Sequence, residues 1–89
     1  MVKNGADTRL VTATIRFFGP LEDLVGCSEA QVEISLPQAE ASLRNAIDGR
    51  FPVLEGEFFR LAVDEEIVAE GQMISRVREI SCLPPFAGG

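Results

Sequence analysis

The chain has 89 residues, 46% of them hydrophobic and 25% charged, with 14 acidic against 8 basic side chains and a net charge of −6. A chain this short supports one modest core, its composition is that of a folded globular protein rather than a disordered one, and its charge repels phosphate backbones, which disfavours nucleic acid and favours a basic protein surface as partner. A drug-sized pocket of roughly 300–1,000 Å³ is hard to enclose beside so small a core, so a protein that presents a surface is expected in preference to a self-contained enzyme.

Residues 1–9 are expected to fray. Residues 11–18, "VTATIRFF", alternate, with Val11, Ala13, Ile15 and Phe17 on one side and Thr12, Thr14, Arg16 and Phe18 on the other, which predicts a half-buried strand. In "GPLEDLVGC" the residues Leu21, Leu24 and Val25 fall at i, i+3 and i+4 behind Pro20, and Gly26 offers a stop, predicting a short helix. "AQVEISL" alternates again, turning Val32, Ile34 and Leu36 inward. From Pro37 to about Asp48 the stripe Ala39, Leu43, Ala46, Ile47 and later Arg50 predicts a longer helix, ended by Gly49. "FRLAVD" and "EIVAE" read as short strands joined through Asp64–Glu66, and "VREISCL" as the last. Strand, short helix, strand, long helix and then several strands describe an α+β chain in which a mixed sheet carries one main helix across a face. The β-grasp, the ubiquitin-like fold, accommodates that order in a single domain over residues 1–89. A ferredoxin-like sandwich needs a second crossover helix that "EGQMISRVRE" is too short to supply.

Side-chain catalysis has few candidates. There is no histidine, the one side chain that titrates unperturbed near neutral pH, and the only lysine, Lys3, lies in the stretch expected to fray. Cys27 and Cys82 match neither a redox pair nor a zinc spacing; both are expected as reduced thiols and small apolar fillers. The acidic run Asp64-Glu65-Glu66 lacks the spaced oxygen ligands of a calcium loop and reads as a solvated turn. "MVKNGADTRL" has no apolar run of a signal peptide and no stretch approaches the ~20 apolar residues of a membrane span, so a cytoplasmic location away from membranes is expected.

The closing segment stands apart. From Ile80 to Gly89, "ISCLPPFAGG", there is no charged side chain. A Gly-Gly pair ends a chain by chance in roughly 0.5% of sequences, so the weight falls on the combination. Pro84 and Pro85 remove two donors and favour an extended neck, Phe86 adds an apolar anchor, Ala87 is small, and Gly88 and Gly89 have no Cβ and suit a narrow channel. A main-chain carboxylate, ionised in the cell and a poor electrophile, becomes reactive when a partner using ATP converts it to an acyl-adenylate.

With those residues, "RFFGPLEDLVGC" at 16–27 and "EISCLPPFAGG" at 79–89 resemble the opening and closing motifs of the MoaD/ThiS-type sulfur carriers, and within them the small subunits of molybdopterin synthases. "RFP" at 50–52 and "LAVDEEIV" at 61–68 fall between them in the expected order. The resemblance implies a β-grasp whose terminal glycine, here Gly89, is adenylylated by an E1-like adenylyltransferase and converted to a thiocarboxylate with sulfur from a donor protein. The tail then enters the large subunit of molybdopterin synthase and gives its sulfur to cyclic pyranopterin monophosphate, in a heterotetramer of two carriers on a dimeric large subunit. It implies no cofactor bound by this chain, ATP being used by the activating partner. Pro84, Pro85, Phe86, Ala87 and Gly88 would form the inserted tail, and Phe18, Ile67 and Leu83 a docking surface. Arg76-Val77-Arg78 stands where the family usually has Asp-Gly-Asp, and Asp64-Glu65-Glu66 where it has an Asn-Gly hairpin centre. Three other readings stay open: a carrier for thiamine or another metabolite, a ubiquitin-like modifier, and a plain interaction module. The helix expected at 20–25 speaks against the first.

Overall fold

A computed structural model describes residues 8–85. Strand β1, Arg9–Phe17, is followed by helix α1, Pro20–Val25, and strand β2, Glu29–Leu36. A two-residue strand β3, Gln38–Ala39, leads into helix α2, Glu40–Arg50, and a 3₁₀ turn over Pro52–Leu54. The chain closes with β4, Arg60–Val63, β5, Glu66–Ile67, β6, Met73–Ile74, and β7, Glu79–Leu83.

The five-stranded sheet has the order β2-β1-β7-β4-β5. β1 runs antiparallel to β2, with Ala13 opposite Val32, and parallel to β7, with Ile15 opposite Ile80 and Phe17 opposite Cys82. β4 pairs antiparallel with β7 and with β5. The period-2 alternation therefore delivers Ala13, Ile15, Phe17, Val32, Ile34, Leu36, Leu61, Ile80 and Cys82 to one face, where Leu43 and Ile47 of α2 join them in a single core. A mixed sheet with a parallel central pair and one long helix across it is the β-grasp arrangement.

Several boundaries differ from expectation for local reasons. β1 begins at Arg9, inside the stretch expected to fray, because Arg9 pairs with Leu36 and its guanidinium donates to the Ser75 carbonyl oxygen. Helix α2 opens at Glu40 rather than Pro37, because Gln38 and Ala39 pair with Ile74 and Met73 and the Glu40 N–H donates to the Gln72 carbonyl oxygen at 2.8 Å. Its stripe is narrow: Leu43 and Ile47 are buried while Ala46 is exposed. The helix runs through Gly49 to Arg50, two residues past the expected end, and the following Phe51 lies edge-on to Phe17 at 5.0 Å between centroids. Gly26 does end α1 as expected, in the left-handed conformation.

Candidate functional site

The site is built where β7 leaves the sheet. β7 is flanked on both sides, by β1 and by β4, and Leu83 lies opposite Arg60 in the last rung with β4. On the other side the Phe18 N–H donates to the Cys82 carbonyl oxygen at 3.2 Å. Beyond Leu83 the ladder loses its donors, because Pro84 and Pro85 have no N–H. Pro84 is half-buried and Pro85 is exposed. Phe86, Ala87, Gly88 and Gly89, the remaining residues of the expected tail, lie outside the described residues.

Gly19 lies close beside Pro84, the first residue after β7. It adopts φ 59°, ψ −136°, a conformation open to glycine and strained for other residues. A Cβ built on it would stand 3.2 Å from Pro84 Cγ. Its place beside Pro84 depends on the long-range β1–β7 pairing, so in sequence the Gly19-Pro20 pair reads only as a helix start.

Phe18, Ile67 and Leu83 lie on the face of the sheet opposite the core, since Phe17 and Cys82 point inward and their neighbours point out. Phe18 is 39% exposed, Ile67 is 47% exposed and Leu83 is half-buried. Phe18 and Leu83 each follow one residue after Phe17–Cys82, the last pair of the β1–β7 ladder. Ile67 sits opposite Ala62, which faces Ser81 on its other side, so a strand separates Ile67 from Leu83. Ala62 on this outer face is nevertheless buried, a small side chain in the middle of a row.

Charge is arranged around this face. Arg16 bridges Glu29 at 3.4 Å and Glu79 at 3.0 Å, tying β2 to β7 across β1. The Asp64-Glu65 pair makes the β4–β5 hairpin, with φ 51° and 74°, the positive values that a two-residue type I′ turn requires and Asn-Gly usually supplies. Asp64 Oδ1 also accepts hydrogen bonds from the Arg78 and Glu79 N–H groups at 2.9 Å each. The acidic turn thus holds the segment that carries Arg76-Val77-Arg78 and needs no glycine there. Cys82 is a core thiol, and burial pushes its pKa up to about 12, with Arg44 opposing the rise and Asp48 adding to it. Cys27 departs from the filler expected of it: it is exposed in the loop after α1, which Gly26 turns away from the core. The larger surface cleft, lined by Arg9, Asp64, Arg76 and Arg78 among others, lies at the other end of β1 and β7 from the tail.

A mixed sheet with a parallel central β1–β7 pair and one main helix packed across it defines a ubiquitin-like β-grasp protein. The sequence profile of the ThiS family matches residues 15–89. A molybdopterin synthase sulfur carrier subunit of Caenorhabditis briggsae is 33% identical over 84 residues, covering 90% of this chain and 100% of the relative. One from Caenorhabditis elegans is 30% identical with the same coverage. Among solved structures, a Pyrococcus furiosus protein assigned as molybdopterin converting factor subunit 1 superposes with a TM-score of 0.71 at 17% identity, over 85% of this chain and 99% of the other. The small archaeal modifier protein 1 of Haloferax volcanii does so with a TM-score of 0.68 at 19% identity, over 84% and 98%. At such identities these two likenesses carry the fold. The chain belongs to the ThiS family.

Proposed function

We propose that this chain is the sulfur carrier subunit of a molybdopterin synthase and that the reactive group is the main-chain carboxylate of Gly89. An activating enzyme joins that carboxylate to the α-phosphorus of ATP, and pyrophosphate leaves. Sulfur supplied at the sulfide level by a donor protein then displaces AMP from the acyl-adenylate, leaving a thiocarboxylate. In the large subunit the thiocarboxylate sulfur bonds to a carbon of cyclic pyranopterin monophosphate as an oxygen substituent leaves that carbon, and water then cleaves the acyl–sulfur bond, which restores the Gly89 carboxylate and leaves the sulfur on the pterin. The chain's own residues deliver and orient: Pro84 and Pro85 favour an extended neck, Phe86 serves as an apolar anchor, Ala87 and Gly88 complete the inserted tail, and Phe18, Ile67 and Leu83 meet the large subunit. The setting is the cytosol, two carriers serve a dimeric large subunit, and ATP belongs to the activating enzyme.

The observation that carries the reading is the extent of the likeness: it covers the whole of a sulfur carrier subunit, and the family match runs through Gly89. Incubation with the cognate activating enzyme, ATP and a sulfur donor is expected to raise the intact mass by one oxygen-to-sulfur exchange located at Gly89. Appending one residue after Gly89 is expected to abolish the exchange, because the glycine carbonyl is then an amide and the new carboxylate lies about 3.5 Å further on. An extended, untrimmed chain that still carries sulfur to the pterin overturns the proposal.

A further inference from the structure

Phe58, just before β4, is the most exposed large apolar side chain among the described residues, at 83%. Its backbone is nonetheless held. The next residue, Phe59, is buried in the core; the Arg44 guanidinium stacks over its ring at 5.0 Å from the centroid and donates to its carbonyl oxygen, while Glu40 fixes Arg44 at 2.7 Å. Phe58 is thus an aromatic ring held out in water next to a residue anchored in the core, and restricting a side chain before binding lowers the entropy that binding costs. Arg60, two residues on, is the register partner of Leu83, so Phe58 stands beyond the last rung of the β4–β7 ladder, at the end of the sheet where Pro84 and Pro85 depart. Phe18 occupies the β1 side of the same exit and Phe58 the β4 side.

We propose that Phe58 is an anchor for the protein that encloses the tail, its ring entering an apolar pocket of that partner. This rests on the carrier reading above, in which the occupant is the large subunit. Reach dictates the place of contact: Gly89 is four residues past Pro85, at most about 14 Å of extended chain. A partner that surrounds those residues and reacts at Gly89 must therefore lie against the end of the sheet that carries Phe58 and Phe18.

The test is a calorimetric titration of the full chain into the cognate large subunit, with melting curves in parallel. Phe58→Ala is expected to weaken the complex at least about 10-fold, with the melting temperature within about 3 °C of wild type because the side chain is exposed. Phe58→Tyr, which keeps the ring, is expected to restore affinity to within about 3-fold. Leu10→Ala, an exposed residue at the far end of β1, leaves affinity unchanged. Wild-type affinity in Phe58→Ala while the wild type binds overturns the inference and leaves the carrier reading standing. Two forms of that result name another occupant: dimerisation of the wild type lost in Phe58→Ala points to a second copy, and a fall in melting temperature alone points to residues 86–89 of the same chain. Failure of the wild type itself to bind any large subunit overturns the carrier reading, and the inference with it.

Discussion

Asp64 and Glu79 hold each other twice: the Asp64 N–H donates to the Glu79 carbonyl oxygen at 2.9 Å, and the Glu79 N–H donates to Asp64 Oδ1 at 2.9 Å. With the bond from the Arg78 N–H, the carboxylate accepts two backbone donors. Asp64→Ala removes the acceptor for both and is expected to lower stability by about 1–2 kcal/mol, given the exposure of the site. Asp64→Asn keeps an acceptor oxygen and tolerates positive φ, so it should lose less than half as much. Urea unfolding of the two variants checks the order.

Glu65 pays for the same hairpin with φ 74°, where a Cβ is unfavourable. Glu65→Gly should stabilise the fold by about 0.5–1 kcal/mol, the relief of that strain outweighing glycine's greater freedom when unfolded. A melting temperature below wild type counts against the type I′ description of this turn.

Gly19→Ala introduces a Cβ at both a strained φ and a 3.2 Å approach to Pro84 Cγ. A loss of about 1–3 kcal/mol is expected, together with reduced sulfur loading of the tail under the proposed function. Adding Pro84→Ala removes the contact but not the strain, so the double variant should recover only part of the stability. Full recovery assigns the whole effect to the contact.

The two thiols should behave oppositely. A maleimide reagent added to the native protein is expected to modify Cys27 alone, and both thiols after unfolding, read by intact mass. The buried Cys82 also makes stability depend on alkaline pH. Its thiol keeps its proton to about pH 12 when folded, against 9.0 for an unperturbed thiol; the unfolded chain therefore releases a proton that the folded chain retains. The stabilisation is complete below pH 9 and is lost between pH 9 and about pH 12, at up to about 1.4 kcal/mol per pH unit. Cys82→Ala, though less stable throughout, should lose that slope when unfolding is followed across the range.

Much of this architecture is legible in the sequence because its signals are local and repeated. The alternation in "VTATIRFF" and "AQVEISL" fixes which faces of β1 and β2 are buried, and therefore places Phe18 outside the core. The β3–β6 pair is not legible: two residues have no period, and Gln38 and Ala39 become a strand only because Met73 and Ile74 arrive from far along the chain. The same long-range dependence hides Gly19, whose importance lies in the neighbour that parallel pairing gives it. Phe58 escapes for another reason. An aromatic before a strand ordinarily continues the buried pattern, and here Phe59 takes the core position while Phe58 is left in water.

The bonding of β7 on both edges has a mechanical meaning. A tail drawn into a narrow channel transmits its pull along the strand from which it issues, here one laced to β1 on one side and β4 on the other. Load along that axis is shared by all the rungs at once, in shear, rather than opening them one after another as it would for a strand peeled from an edge. Under the proposed function, in which the tail enters a partner, the domain would act as a handle whose body keeps its shape while its end is pulled.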